Sequence, residues 1–223
     1  MGSRLFVDAP SGASDMVLAV EIQLPGNAPS HSPTWLALLV ERAASGDTAA
    51  FEQIMIHSQR RVMAMTWRML GNEADARDAS QEVFLRVYKH LGRFRQDQEF
   101  FAWLYRITVN VCRDLLKQRQ HQSDRFRSLG GDSEETLEIP FEHESAEQAL
   151  IQAQRRELIS RALATLPFKE RASIVLRDVE GLSTDEVARV LKSSSTTVRS
   201  QISSGRRKIR AYCRRYLKLE QES

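Results

Sequence analysis

Ser183-Thr184-Asp185-Glu186-Val187-Ala188-Arg189-Val190-Leu191-Lys192-Ser193-Ser194-Ser195-Thr196-Thr197-Val198-Arg199-Ser200 is the stretch that decides the fold. Ser183 with Glu186 three residues on fits a capping box. It opens a short helix, Thr184 to Leu191, with Val187, Ala188 and Leu191 on its inner side. The polar run Lys192 to Ser195 reads as a tight turn. A long helix follows, from about Thr196 to Leu217. Its apolar stripe steps by three and four through Val198, Ile202, Gly205, Ile209, Tyr212 or Cys213, and Tyr216. Gly205 in that stripe predicts a close approach by another backbone. The other face carries Thr196, Arg199, Ser200, Ser203, Arg207 and Arg210. A short helix, a turn, and a helix rich in hydroxyl and guanidinium groups is the geometry that reads major-groove edges. Cations further along such a helix meet phosphates.

The rest of the chain agrees with a helical protein. Ten glycines and six prolines among 223 residues leave long runs free of breakers, and 42% hydrophobic residues suffice for cores. A net charge of +3 does not itself argue for a polyanion partner, but its distribution does. Arg199 to Lys218 holds eight Lys or Arg and no acid, whereas Ser128 to Gln154 holds seven acids and no base. Cys112 and Cys213 lack metal-type spacing and read as small hydrophobes in a reducing cytosol. No run nears the 18 or so apolar residues of a membrane span, and Met16 to Leu24, broken by Glu21 and Gln23, does not read as a signal peptide.

The pattern predicts an all-α chain of two small helical domains joined by a flexible acidic linker. Residues 1–33 read as a flexible extension, 34–119 as the first domain, 120–145 as the linker and 146–223 as the second domain. Within the first domain a short helix begins near Trp35 and ends at Gly46. Asp47 caps a second helix over Thr48 to Leu70 that Gly71 closes, and Asn72 caps a third that runs to about Leu91. A fourth extends from about Glu99 to Arg119.

The third helix has a core stripe of Ala76, Ala79, Val83, Val87 and Leu91. Asp75, Asp78, Glu82 and Leu85 share another face, acidic and ending on an exposed leucine, which suits docking on a basic protein surface. Arg93-Phe94-Arg95-Gln96-Asp97 is a basic and aromatic loop. It leads into Phe100-Phe101-Ala102-Trp103-Leu104-Tyr105-Arg106, where rings beside cations offer what unstacked bases need; the same rings also suit a packed core. Asn110 and Arg113, one turn apart, reach duplex edges or phosphates from the same helix.

Asp75 to Arg86, then Phe101-Ala-Trp-Leu-Tyr-Arg-Ile, Asn110 and Asp114, resemble regions 2.2 to 2.4 of the extracytoplasmic-function (ECF) sigma factors of bacterial RNA polymerase. Leu166-Pro167, Glu170-Arg171, Glu180-Gly181-Leu182-Ser183, Glu186-Val187-Ala188 and Thr197-Val198-Arg199-Ser200 resemble region 4 of the same family. The resemblance covers about residues 45 to 217 in the family's order. It implies an alternative sigma factor with a sigma2 domain that binds core polymerase and melts the −10 element and a sigma4 domain that reads the −35 element. Asp75, Asp78, Gln81, Glu82 and Leu85 would grip the polymerase clamp helices. Arg93, Phe94, Arg95, Gln96 and Asp97 would capture a flipped base, with Phe101, Trp103, Arg106, Asn110 and Arg113 completing the −10 surface. Ser194, Thr196, Thr197, Arg199, Ser200, Gln201, Ser203, Arg206, Arg207, Lys208 and Arg210 would form the −35 surface. The implied partners are the clamp helices and flap of core RNA polymerase, promoter DNA and an anti-sigma factor, often membrane-anchored, that holds a bacterial cytoplasmic protein inactive. The acidic linker would run through the polymerase toward the RNA exit channel.

Three features depart from the family pattern. Lys192 stands where the turn usually has glycine, so a positive backbone angle there would strain it. Gln201 and Ser204 stand where arginines are frequent, and the extension of residues 1–33 exceeds the usual short N-terminus. A stand-alone helix-turn-helix regulator is the alternative, and it predicts operator binding without polymerase. Catalysis has little support. His57, His90 and His121 lack partnered acids, and no glycine loop cradles a phosphate, so no metal, cofactor or small-molecule substrate is expected.

Overall fold

The computed structural model describes residues 34–95, 99–127 and 157–221, with only the helical backbone for 121–127 and 217–221. The extension 1–33, the loop residues Gln96 and Asp97, and most of the expected linker lie outside the described residues. Those described form helices and turns, with no strand among them. The helices are α1 (Thr34–Ala44), α2 (Thr48–Leu70), α3 (Glu73–His90), α4 (Phe100–Arg127), α5 (157–164), α6 (Phe168–Ile174, continued by a π-helical turn Val175–Val179), α7 (Thr184–Leu191) and α8 (Ser195–Gln221). A 3-10 turn, Leu91–Arg93, follows α3.

Local chemistry sets most of these boundaries. The Asp47 carboxylate accepts from the Ala50 N–H at 3.0 Å and meets Arg42 at 2.7 Å, pinning the α1–α2 corner. Those bonds, the Ala50 N–H above all, hold its pKa below the usual carboxylate range. Gly71 takes φ 81° and returns its N–H to the Trp67 carbonyl, and Asn72 accepts from the Asp75 N–H. The fourth helix does not stop at Arg119 as expected but continues to Arg127. The residues past Arg119 are polar, yet no Gly or Pro interrupts them before Gly130, and polarity alone does not end a helix.

The first core is built where α2, α3 and α4 meet, from Ile54, Val62, Met65 and Met69 against Ala79, Val83, Val87, Leu104 and Val111. Thr66 and Ser80 hydroxyls bond at 3.0 Å across the α2–α3 seam and both bond the Ala76 carbonyl, so the polar pair is satisfied where it is buried. Cys112 is buried, which pushes its thiol up to about 12 and leaves it a packing group. The second core joins Leu163, Leu166, Ala172, Val175, Leu176, Val187, Val198 and Ile202. Gly205 is needed there for a different reason than expected. A Cβ on it would come 2.9 Å from Cγ1 of Ile174, so a neighbouring side chain, not a backbone, takes the space.

The two helical domains also touch each other. Buried residues of both belong to one continuous cluster, with α4 against α7 and α2 against α6 and its π turn.

Candidate nucleic-acid interface

In the helix-turn-helix the capping box forms as the sequence predicts. The Ser183 hydroxyl accepts from the Glu186 N–H at 3.2 Å while the Ser183 N–H donates to the Glu186 carboxylate at 2.7 Å. Lys192 ends α7 in the left-handed region, φ 50° and ψ 53°, the only non-glycine with positive φ among the described residues. Ser194 starts α8, its hydroxyl accepting from the Thr197 N–H at 3.1 Å, so this side chain is occupied as a cap.

The α8 residues assigned to duplex reading divide into two sets. Thr196, Thr197, Arg199, Ser200, Ser203, Arg207 and Arg210 are exposed. Gln201, Arg206 and Lys208 turn to α6 and its π turn instead. Gln201 accepts from the Ser173 hydroxyl at 2.8 Å, Arg206 forms a forked pair with buried Asp178 at 2.5 and 3.0 Å, and Lys208 meets Glu170 at 2.9 Å. The Asp178 hydrogen bonds raise the Arg206 pKa. Ser204 likewise donates to Glu170 at 3.2 Å. Gln201 and Ser204, which stand where the family often has arginines, therefore tie α8 to α6, and the inward aim of Gln201 departs from its place in the expected −35 surface.

On α3, Asp78, Gln81 and Leu85 lie exposed on one face, and Glu82, half-buried, accepts from Arg86 at 2.7 Å. Arg86 also reaches Asp114 at 3.0 Å, strapping α3 to α4. Asp75 does not share that exposure. It is 5% exposed, bonded to Asn72 and paired with Arg119 of α4. Tyr88, 59% exposed, extends the face one turn beyond Leu85. The sequence reading missed it, although it continues the same step.

On α4 the rings split as well. Phe100, Trp103 and Leu104 are core residues, Trp103 at 9% exposed among Phe94 and Phe100, which rules out a freely offered indole in this conformation. Phe94 and Phe101 are half-buried, and the Arg61 guanidinium lies 4.5 Å over the Phe101 ring, a cation–π contact. Arg93 and Arg95 are exposed beside them, as is Arg113, which donates to the Asn110 amide oxygen at 2.8 Å. Arg106, Asn110 and Arg113 line one side of a cleft whose other side carries Lys169, Lys192 and Ser193.

Such a basic, hydroxyl-rich helix and a ring-and-arginine helix on one helical chain match known proteins along their length. The Sigma-70 region 2 model matches residues 55–122 and the Sigma-70, region 4 model residues 156–209. The RNA polymerase sigma-H factor of Pseudomonas aeruginosa is 32% identical over 173 residues, covering 77% of this chain and 90% of that protein. The ECF RNA polymerase sigma-E factor of Escherichia coli K12 is 32% identical over 174 residues, covering 77% and 91%. The chain belongs to the ECF sigma factors. As such a factor it is an alternative sigma subunit that directs promoter-specific transcription. The ECF factor SigE of Mycolicibacterium smegmatis is 34% identical over 187 residues, 82% of this chain and 69% of that one. Among solved structures, CnrH in complex with the cytosolic domain of CnrY is similar at TM-score 0.56 and 28% identity, over 84% of this chain and 98% of that one. The sigma factor RpoE in complex with the anti-sigma factor NepR, from Bartonella quintana, shares the fold at TM-score 0.60 and 16% identity, over 74% and 96%.

Among the described residues of this ECF factor, no helix is long and apolar enough to cross a membrane, and no group of His, Cys, Asp and Glu is placed to hold a metal ion.

Proposed function

We propose that α1 to α4 form the sigma2 unit and α5 to α8 the sigma4 unit of this factor. Thr196, Thr197, Arg199, Ser200 and Ser203 read the −35 duplex from the start of α8, and Arg207 and Arg210 hold phosphates one to two turns along. Phe94, Phe101, Arg93, Arg95, Arg106, Asn110 and Arg113 hold the melted −10 strand, with Trp103 supporting them from the core. Asp78, Gln81, Leu85 and Tyr88 dock on the clamp helices of core polymerase. The observation that carries this reading is the sorting of α8, where cations without a groove-facing task are tied to α6 and its π turn while hydroxyls and arginines stay exposed at the N-terminal turns.

The shared fold with the sigma factor RpoE, solved in complex with the anti-sigma factor NepR, supports an anti-sigma factor as a further partner. The factor works without cofactor or catalysis in the bacterial cytoplasm. Transcription with purified core RNA polymerase on a promoter library tests the assignment. Promoter-specific initiation that requires the polymerase is expected. Tight duplex binding by the isolated protein without initiation would instead support a stand-alone regulator.

A further inference from the structure

Rings from three helices form one row at the surface of the first unit. Half-buried Phe101 of α4 lies 6.3 Å from exposed His57 of α2, centroid to centroid, and His57 meets Trp35 of α1 edge-on at 4.6 Å. Trp35, in the first turn of α1, is 44% exposed. Arg61, 4.5 Å over the Phe101 ring, and exposed Arg60 stand one turn along α2 from His57, so cations flank the row. Partial burial and the Arg61 charge lower the His57 pKa, which keeps its ring neutral and fit to stack. The core does not call on Trp35, because Leu36, Leu39 and Val40 supply the buried face of α1. A lone exposed ring is ordinary on a protein surface. A row that runs on from the strand-holding residues of α4 is not.

We propose that Trp35 and His57 carry the strand-binding surface past Phe101 and hold the next unpaired bases between the −10 element and the start site. Promoter opening has to reach the start site, so the strand held at Phe94 and Phe101 continues unpaired beyond them. Its bases still have faces to stack, and rings accept any base by its face while arginines hold the backbone. The row from Phe101 across α2 to α1 gives that strand a path over the first unit. Flanking cations suit a polyanion better than an apolar peptide, which favours nucleic acid as the occupant. The ring row rests on geometry alone; its assignment to this strand rests on the reading of α4 given above.

Two assays test it. The first is binding of a labelled oligothymidine single strand to the full-length protein, followed by fluorescence anisotropy. Trp35→Ala should weaken it about tenfold, Trp35→Phe should restore most of the loss, and His57→Ala should act in the direction of Trp35→Ala. Leu38→Ala trims a 58% exposed side chain of α1 outside the row and should change nothing. The second uses the holoenzyme on a premelted promoter, with an abasic nucleotide moved stepwise from the −10 element toward the start site. At the stacked position it should shorten the lifetime of the parental complex about tenfold. Trp35→Ala should be short-lived on the intact strand and insensitive to the abasic nucleotide there. Parental strand binding by Trp35→Ala, a loss that Trp35→Phe does not relieve, an equal loss in Leu38→Ala, or the same abasic profile in parent and Trp35→Ala overturns the proposal. Strand binding that depends on Trp35, with no promoter-specific initiation by the holoenzyme, would uphold the ring surface while defeating the sigma assignment.

Discussion

Lys192 holds φ 50° at the end of α7, its N–H closing onto the Ala188 and Arg189 carbonyls and the chain turning there into α8. A residue with a Cβ sits in the left-handed region at a cost of about 1–2 kcal/mol, because the Cβ crowds the following carbonyl. Glycine removes that crowding but adds freedom to the unfolded chain, which returns about 0.4–1 kcal/mol of the gain. Lys192→Gly should therefore stabilise the protein by about 1 kcal/mol. In a chain of 223 residues that corresponds to a rise in Tm of roughly 2–4 °C by thermal unfolding, followed by circular dichroism. Lys192→Ala is the control. It deletes the exposed side chain but keeps the Cβ, so its stability should stay within about 0.5 kcal/mol of the parent. A glycine variant no more stable than the parent, or an alanine variant that gains as much as glycine, would refute backbone strain as the cause.

Other positions give equally direct checks. Gly205→Ala gains about 1 kcal/mol of helix propensity but forces a Cβ against Ile174, an overpacking of about 1–3 kcal/mol, so Tm should fall, and adding Ile174→Val should recover part of the loss. Burial and the nearby Arg61 charge lower the pKa of His57, which packs edge-on to Trp35 at 4.6 Å. Its contribution is full above the unfolded value of 6.5 and is lost as pH falls through the lowered folded value, so the parent should lose more stability than His57→Gln between about pH 7.5 and pH 5. In promoter binding by the holoenzyme, Arg207→Ala or Arg210→Ala should each shrink the salt slope by about 0.9, whereas Lys208→Ala, already paired with Glu170, should change it less; equal changes would remove the distinction between the two sets.

Features whose causes lie within a few residues were legible in the sequence. Asp47, Gly71, Asn72 and the Ser183–Glu186 box stand where local hydrogen bonding puts them, and the strain at Lys192 followed from a missing glycine. Features decided by distant partners were not. Asp75 has the right step for an exposed acidic face, but Arg119, 44 residues away, covers it. Arg206, Lys208 and Gln201 look alike with their exposed neighbours until Asp178, Glu170 and Ser173 on α6 and its π turn claim them. Trp103 satisfies both base stacking and core packing by composition, and only the positions of Phe94 and Phe100 decide for the core. The Tyr105–Glu180 pair spans 75 residues and joins two units that periodicity treats as separate. The length of α4 is the reverse case, since the absence of a breaker before Gly130 was readable and polarity was given too much weight.

The internal pairing of Arg206 and Lys208 also bears on how this factor behaves in a crowded nucleoid. Each cation that neutralises a phosphate releases condensed counterions and adds affinity for any duplex, whatever its sequence. A genome presents on the order of a million or more such decoy sites, and a subunit that held them well would rarely be found free. Spending two of the charges on Asp178 and Glu170 trims that indiscriminate attraction while leaving Arg199, Arg207 and Arg210 outward. On the proposed role of α8, the unbound factor would thereby stay in the searchable pool, where a polymerase would meet it before the chromosome absorbs it.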